Sequence, residues 1–437
     1  MSERSEQIVS ILENAFADRV RRDPAAFRKR FRKMAADPFA FYRGSAALYY
    51  ADMADRDDPW ATGALSRAWI HGDLHAENFG TYLNDQGRLI FDVNDFDEAY
   101  LGHFTWDLQR CAASLALIGW RKAFPDEVID ELIARYIRSY LDQVAYYTQS
   151  DRDKDWALRL DNARGPVRRT LLDARSASRI DLLTANTVVV DEDRQFLDGS
   201  GVRRLDDDEH ERVLRAYERY LDTVPQTKRT PNEIAFEVKD VVGRSGFGIG
   251  SAGLRAYNVL LEGRSEALEN DVILSVKEGN VAAASAVVHD ERLAGAFEHH
   301  GHRTALSQRA LQVHTDPYLG WTEIDGTGFV VSELSPYESD LEWDDLTEPD
   351  EITELVTDLG KATAKMHCVS DADAEGLAVD EQVENLVLAR VDGRVGELVS
   401  WVQEFAREYA ELTRADHARF VDAFRHGGFG RVSAVAG

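Results

Sequence analysis

The stretch from Ala68 to Glu98 constrains this chain more than any other. An apolar triplet, Ala68–Ile70, runs into the polar loop His71-Gly72-Asp73-Leu74-His75-Ala76-Glu77-Asn78. Two strand-like runs follow, Asn78–Leu83 and Arg88–Val93, separated by the turn residues Asn84-Asp85-Gln86-Gly87. Paired as a hairpin, they bring Asn78 beside the second acidic cluster, Asn94-Asp95-Phe96-Asp97-Glu98. Asp73 is then available as a proton acceptor. Asn78 and Asp95, on adjacent strand ends, offer two hard oxygen ligands to one cation. Mg²⁺ bound with phosphate uses few protein ligands of this kind and takes the rest from substrate oxygens. A second chemistry is open to the same loop, because His71, Asp73 and His75 alternate as transition-metal ligands can.

A glycine-rich stretch lies further on, Gly243-Arg-Ser-Gly246-Phe-Gly248-Ile-Gly250-Ser251-Ala-Gly253, between the strand candidates Phe236–Val242 and Ala256–Glu262. Glycines there let backbone N–H groups approach phosphates closely. The G-x-G-x-x-G spacing alone is a weak signal. A dinucleotide fold needs a helix after the glycines, whereas a strand follows here. Strand, glycine loop, strand is the nucleotide-covering arrangement of kinases. Lys277 ends the apolar strand Val272–Val276 and is one of nine lysines in the chain. Alone it reads as a solvated strand end; beside the glycine loop it reads as a phosphate contact.

Together these pieces resemble the protein-kinase-like superfamily, especially its aminoglycoside-phosphotransferase branch. That branch carries H-G-D-x-x-x-x-N, then I-D-F-D-D-A, then G-x-G-D-P-x-x-D-L. The frame continues here through Ala99 and Gly102-His103-Phe104-Thr105-Trp106-Asp107-Leu108, with Asn94 before the acid and His103-Phe104 in place of Asp-Pro. More closely, the chain resembles a bacterial and archaeal family, domain of unknown function 2252 (DUF2252). The marks are Phe41-Tyr42-Arg43-Gly44, His71 through Gly80, and Val276-Lys277-Glu278.

The resemblance implies an α+β, protein-kinase-like two-lobed fold and Mg-ATP-dependent phosphoryl transfer to a hydroxyl of a small-molecule or protein acceptor. It makes Asp73 the catalytic base and Asn78 and Asp95 the Mg²⁺ ligands. Lys277 would hold the nucleotide phosphates under the loop containing Gly246, Gly248, Gly250, Ser251 and Gly253. Glu333-Leu334-Ser335 would contact the adenine, and Asp107 would anchor the catalytic loop. The acidic partner of Lys277 stays open among Glu291 and Glu298, with Gln308 nearer the expected position. Adenylyl transfer on the same fold, or nucleotide binding without catalysis, would use the same parts.

The order is unusual, since His71–Asn78 precedes the glycine loop. Leu359-Gly360-Lys361-Ala362-Thr363-Ala364-Lys365-Met366-His367 resembles the helix that ordinarily runs into H-G-D, yet no H-G-D follows it. A circular permutation accounts for both, and it requires Met366-His367 to approach Ile70-His71.

On this reading residues 1–65 form an N-terminal helical segment and 66–231 the first part of a helical catalytic lobe. Residues 232–340 form a β-rich nucleotide lobe, with helical sequence at about 281–314 and a late strand at Gly328–Leu334, and 341–437 complete the helical lobe. A length of 437 residues allows two to four such units. The net charge of −27 argues against broad nucleic-acid binding and against docking on anionic lipid. Within it, residues 19–33 hold eight basic side chains, a local inversion read either as an anion contact or as a solvated helix paired with acids. A second arginine-rich stretch, 164–179, carries the same two readings. Cys111 and Cys368 lie far apart without metal spacing, no signal peptide opens the chain, and no apolar run is long enough to span a bilayer. A cytoplasmic protein off the membrane is expected.

Overall fold

The computed structural model describes residues 2–149, 155–225, 234–245, 252–290, 293, 295–312, 314–369 and 382–432. The architecture is mixed α+β. Its main sheet has six antiparallel strands in the order Gly320–Ile324, Thr327–Glu333, Val272–Glu278, Ala256–Leu261, Val238–Arg244, Val202–Arg204. Side chains alternate across it, as the two-residue period of a strand requires. Val259, Leu261, Val272, Leu274 and Val276 pack against the helix Asp207–Leu221 through Val213, Ala216, Tyr217 and Tyr220. Val242, Leu260 and Ile273 face the other way, onto Leu183 and Phe196. Lys277 shares the parity of Ile273 and lies one residue before the end of its strand, opposite Ala256 and Val330.

The strands expected at 68–70, 78–83, 88–93, 256–262, 272–277 and 328–334 form to within a residue, and the hairpin pairs Phe79 with Val93. Three expectations change. The sheet takes Val202–Arg204 from before residue 232, so a boundary at 231/232 cuts through one sheet. Among its described residues, the helical stretch expected at 281–314 forms the short 3-10 turn Ala283–Ala286 and the α-helix His300–Leu311 rather than continuous helix. Residues 1–65 do not stand apart. Asp23 caps the helix Pro24–Met34 by accepting from the N–H of Ala26, which folds it back on the helix Glu3–Arg22. Phe31 then packs against Phe420, Phe424 and Phe429 at 5.3, 5.6 and 4.8 Å between ring centres, so the two ends of the chain share one core.

The largest core joins the remaining helices. Pro349–Cys368 lies along Asp126–Tyr147, and Val395–Arg425 lies against Phe104–Arg121. Gly360 permits the first contact, since a β-carbon there would meet the carbonyl oxygen of Tyr136 at 2.4 Å. Cys111 and Cys368 are buried thiols in these helices. No helix among the described residues is long and apolar enough to cross a membrane.

Candidate active site

Strand Ala68–Ile70 pairs with Tyr100–Gly102 and delivers the chain into the loop at His71. Gly72 has φ +80°, and a β-carbon there would stand 2.0 Å from the carbonyl oxygen of Glu98, so only glycine fits. Asp107, buried in the first turn of Phe104–Arg121, accepts from the backbone N–H of His71 at 2.7 Å and of Gly72 at 3.0 Å. It also accepts from Nε2–H of His367 at 3.2 Å, while Nδ1 of His367 accepts from the Tyr140 hydroxyl at 3.0 Å. The helix end at His367 and the loop at His71 are thus joined through one carboxylate. This is the contact the order of motifs required.

His71 donates from Nε2 to the carbonyl oxygen of Asn94 at 2.6 Å and accepts at Nδ1 from the N–H of Asp73 at 3.3 Å. Both ring nitrogens are engaged. Nδ1 of the buried His75 accepts from the N–H of Glu77 at 3.2 Å. The alternative of a His71, Asp73, His75 metal triad therefore does not match this loop, whose histidines serve as backbone clasps.

Asn78 donates from Nδ2 to the carbonyl oxygen of Asp73 at 3.0 Å, which leaves Oδ1 for another partner. Its own carbonyl accepts from the N–H of Asn94 at 3.1 Å, setting it beside Asp95. Asp95 is exposed and left-handed, with φ 59° and ψ 74°, a conformation Asp tolerates better than most residues. Among the described residues no group of three or more His, Cys, Asp or Glu side chains is arranged to hold a metal. An amide oxygen and one exposed carboxylate do suit a hard cation that takes its other ligands from phosphate and water.

Asp73 has a partner that motif reading missed. Arg110, one turn beyond Asp107 on the same helix, donates from Nε to Asp73 Oδ1 at 2.6 Å. Its guanidinium lies over the rings of Tyr42 and Tyr49 at 4.3 and 4.8 Å, and Nη2 donates to the carbonyl oxygen of Tyr42 at 3.1 Å. Burial pushes the Asp73 carboxyl up while Arg110 opposes it, and the net direction is upward. Arg110 thus aims the carboxylate and limits the protonation that burial would bring.

The acid loop is pinned from the β-rich side. Arg303, buried on His300–Leu311, donates from Nη2 to the carbonyl oxygens of Asp97 at 2.7 Å and Asn280 at 2.8 Å, and from Nη1 to that of Ala99. Glu98 accepts from Asn280 Nδ2 at 2.7 Å and from the N–H of Ala283 at 2.6 Å. Burial raises Glu98 to about 7. Asp97 rises to about 6 through burial and the neighbouring charge of Asp95, against the pull of Lys277 and Arg303. Lys277 and Asp95 therefore both bear electrostatically on Asp97. Of the acidic partners considered for Lys277, Glu291 lies outside the described residues. Glu298 acts on His299 and His302, and Gln308 donates to Gln312, just past the end of its helix, at 3.3 Å.

Gly246, Gly248, Gly250 and Ser251 lie outside the described residues. Gly253, with φ +75°, approaches the N-terminal helices so closely that a β-carbon would stand 3.0 Å from the carbonyl oxygen of Arg19. At Glu333-Leu334-Ser335 the Glu333 carboxylate pairs with Arg179 at 2.6 Å, and its N–H donates to Asp316 at 2.7 Å. The Leu334 N–H donates to Ile273 at 2.8 Å, and Ser335 Oγ accepts from the N–H of Tyr337 at 3.2 Å. Within 164–179, Arg164, Arg168, Arg169 and Arg175 are exposed, whereas Arg179 meets the buried carboxylate of Glu333.

The basic segment 19–33 divides. Arg21, Arg32 and both lysines are exposed, and Arg22 reaches Glu278 at 2.8 and 2.9 Å, but Arg19 and Arg30 are only 8% and 6% exposed. They line a cavity of about 430 Å³ together with Arg43, Asp73, Asp95, Asp97 and Glu98. Helical spacing carried a signal for this. Phe16, Arg19 and Val20 repeat the pattern of Phe27, Arg30 and Phe31, so each arginine shares a face with two core residues. Arg43 of the Phe41–Gly44 motif pairs with Glu77 in the loop.

The half-buried Asp73 carboxylate, the Asn78 amide oxygen and the exposed Asp95 carboxylate thus lie in two loops joined by the bonds of Asn78, with Lys277 bearing on the acids from the β-rich side. No curated protein and no solved structure matches the chain. A sequence match runs from Arg22, the end of the first helix, to Ala423, near the end of the last, and over those residues the chain belongs to the family described as "Uncharacterized protein conserved in bacteria (DUF2252)".

Proposed function

We propose that the chain is a Mg-ATP-dependent phosphotransferase acting on a hydroxyl group, built on a circularly permuted kinase-like frame. The observation that carries the reading is the convergence of Asp73, Asn78 and Asp95 through the hydrogen bonds of Asn78, with Lys277, about 200 residues later in sequence, bearing electrostatically on Asp97 beside them. The His367–Asp107–His71 connection supports the permuted frame. Asp73 takes the acceptor hydroxyl's proton. The acceptor oxygen bonds to the γ-phosphorus as that phosphorus parts from its bridging oxygen, and ADP leaves. Asn78 and Asp95 would hold Mg²⁺, which supplies charge neutralisation at the phosphates. Lys277 binds the phosphates, Arg110 positions Asp73, and Asp107 fixes the loop. The backbone of Glu333–Ser335 is what that segment can offer adenine, because the Glu333 side chain is committed to Arg179.

The test is incubation of the full-length chain with Mg²⁺ and ATP labelled separately at the α and γ positions. Transfer of the γ label, lost in Lys277→Ala while the fold persists by circular dichroism, is the expected result. Transfer of the α label would replace the reading with adenylyl transfer. Absence of Mg-ATP binding would overturn the nucleotide site altogether.

A further inference from the structure

The cavity beside Asp73 is charged on one part of its wall and apolar on the rest. Among the described residues its lining includes the base and the acid loop but neither Lys277 nor Glu333 and Ser335, so it lies on the acceptor side of the reacting groups. Its charges compensate one another. Four carboxylates, Asp73, Asp95, Asp97 and Glu98, stand with the guanidinium groups of Arg19, Arg30 and Arg43. Arg30 donates from Nη2 to the carbonyl oxygen of Gly44 at 2.9 Å, and Glu98 and Asp73 favour its charge. Glu98 and Asp97 do the same for Arg19. Arg43 pairs with Glu77, and Asp73 with Arg110. The exposed Asp95 is the ligand proposed for Mg²⁺. An acid group entering here would meet four carboxylates, and an ammonium would meet three guanidinium groups. A charged ligand gains no fresh counter-charge in such a place and still has to leave water, which is costly.

The rest of the wall is apolar and mostly small. Ile11 and Ala15 stand one turn apart on Glu3–Arg22, and Ala47 and Ala51 one turn apart on Ala46–Met53. Ile11, Ala47 and Ala51 are half-buried and Ala15 is exposed, so the core does not use up their surface. Val281 lines the same cavity and is 57% exposed, in a segment tied to the acid loop where Asn280 and Ala283 donate to Glu98. An apolar side chain left that open beside a pocket is stabilised when an apolar ligand covers it. We infer that this cavity receives the acceptor as a small uncharged alcohol with an apolar body. Arg110 holds Oδ1 of Asp73, the alcohol's hydroxyl donates to Oδ2, and its hydrocarbon part lies on the alanines, Ile11 and Val281. Transfer then yields the alcohol's phosphate monoester, ADP and a proton on Asp73. The role of the hydroxyl rests on the phosphotransferase reading; the apolar site rests on the lining. A volume of about 430 Å³ lies toward the small end of ligand pockets, room for a metabolite and not for a folded protein.

The test is titration of the full-length protein, with Mg-ADP present, by cyclohexylmethanol, glycerol, glycerol 3-phosphate and ethanolamine, followed by ligand-observed nuclear magnetic resonance. Cyclohexylmethanol should bind, with the polyol, the acid and the amine each weaker by roughly tenfold or more. Ala47→Phe fills the cavity from a half-buried position and should weaken cyclohexylmethanol by roughly tenfold or more while Mg-ATP titration stays unchanged. If Ala47→Phe does not fold by circular dichroism, Val281→Asp at the more exposed position replaces it with the same expectation. Cyclohexylmethanol that does not bind, any of the other three binding as tightly, or an affinity unmoved in the variant would overturn the inference while Mg-ATP binding stands. Cyclohexylmethanol binding that is lost in the variant, in a protein that binds no Mg-ATP, would uphold the apolar site and sink the phosphotransferase reading.

Discussion

Asp107→Asn removes a charge that three donors share and leaves the side chain's volume unchanged. Oδ1 accepts from Gly72 N–H at 3.0 Å, and Oδ2 accepts from His71 N–H at 2.7 Å and His367 Nε2–H at 3.2 Å, with no exposure to solvent. An amide keeps one acceptor oxygen. Turned toward His71 and His367, it sets its NH₂ against the N–H of Gly72 and leaves that buried donor unsatisfied, at about 1–3 kcal/mol. The two surviving bonds lose their charge assistance, at about 1 kcal/mol each. Removing a buried charge relieves some desolvation, so the net cost is about 2–4 kcal/mol. Against a total stability of about 5–15 kcal/mol this is a large, measurable loss in a chain that still folds. Urea unfolding followed by far-ultraviolet circular dichroism reads it directly. His367→Ala in the same background gives the coupling of the helix end to the loop, about 1 kcal/mol for residues in contact. An Asp107→Asn midpoint that corresponds to less than ~0.5 kcal/mol, inside the range of ordinary surface substitutions, would mean that the carboxylate does not hold these segments together.

Two further outcomes follow from the same geometry. Asp73→Asn should bind Mg-ATP as the wild type does and transfer phosphate at least ~10²-fold more slowly, the usual size of a general-base effect; unchanged single-turnover rates would remove Asp73 from that role. Burial holds Glu98 at about 7 and Asp97 at about 6, above the values of an unfolded chain. Between the unfolded and folded values the native state binds the extra protons, so stability falls as pH rises through about 5–7 and levels above. Thermal unfolding without divalent ions should therefore move to higher temperature between pH 8 and pH 6, with a smaller rise in Glu98→Gln. A rise of equal size in that variant would count against the assignment.

Much of the site was legible because short-range chemistry determines it. A hairpin with a four-residue turn must return Asn94 to Asn78, whatever surrounds it, and an apolar strand must end somewhere near Lys277. Gly72 and Asp107 could be placed for the same reason, each being tied to a neighbour less than 40 residues away. The parts that were not legible depend on long-range packing. Val202–Arg204 is three residues long and carries no period that distinguishes a strand from a loop. Arg110 follows Asp107 by one turn and reads as an ordinary helical arginine until Tyr42 and Tyr49 enclose it. Glu333 belongs to a strand by its pattern, but its ion pair with Arg179 crosses more than 150 residues and leaves no local trace.

The N-terminal helices show why a charge run is a poor guide by itself. Eight basic residues in fifteen look like one solvated face, yet helical geometry distributes them over all faces, and core phenylalanines select Arg19 and Arg30 for burial. What offsets part of that burial is the acid loop opposite: Glu98 favours the charge of both arginines, joined by Asp97 at Arg19 and Asp73 at Arg30, and Arg19 in turn lowers Asp97. Neither set would be stable alone in so small a volume. The same helices rest on Phe420, Phe424 and Phe429 at one end and reach Glu278, next to Lys277, through Arg22 at the other. They span from the shared core of the chain ends to the strand that carries Lys277. In an order where the acid loop comes first and the lysine strand later, a brace across both keeps the two halves of the site at one spacing. The exposed Arg22 pair contributes little energy by itself. The aromatic packing beneath it supplies the stiffness, and the buried arginines determine where the brace touches the site.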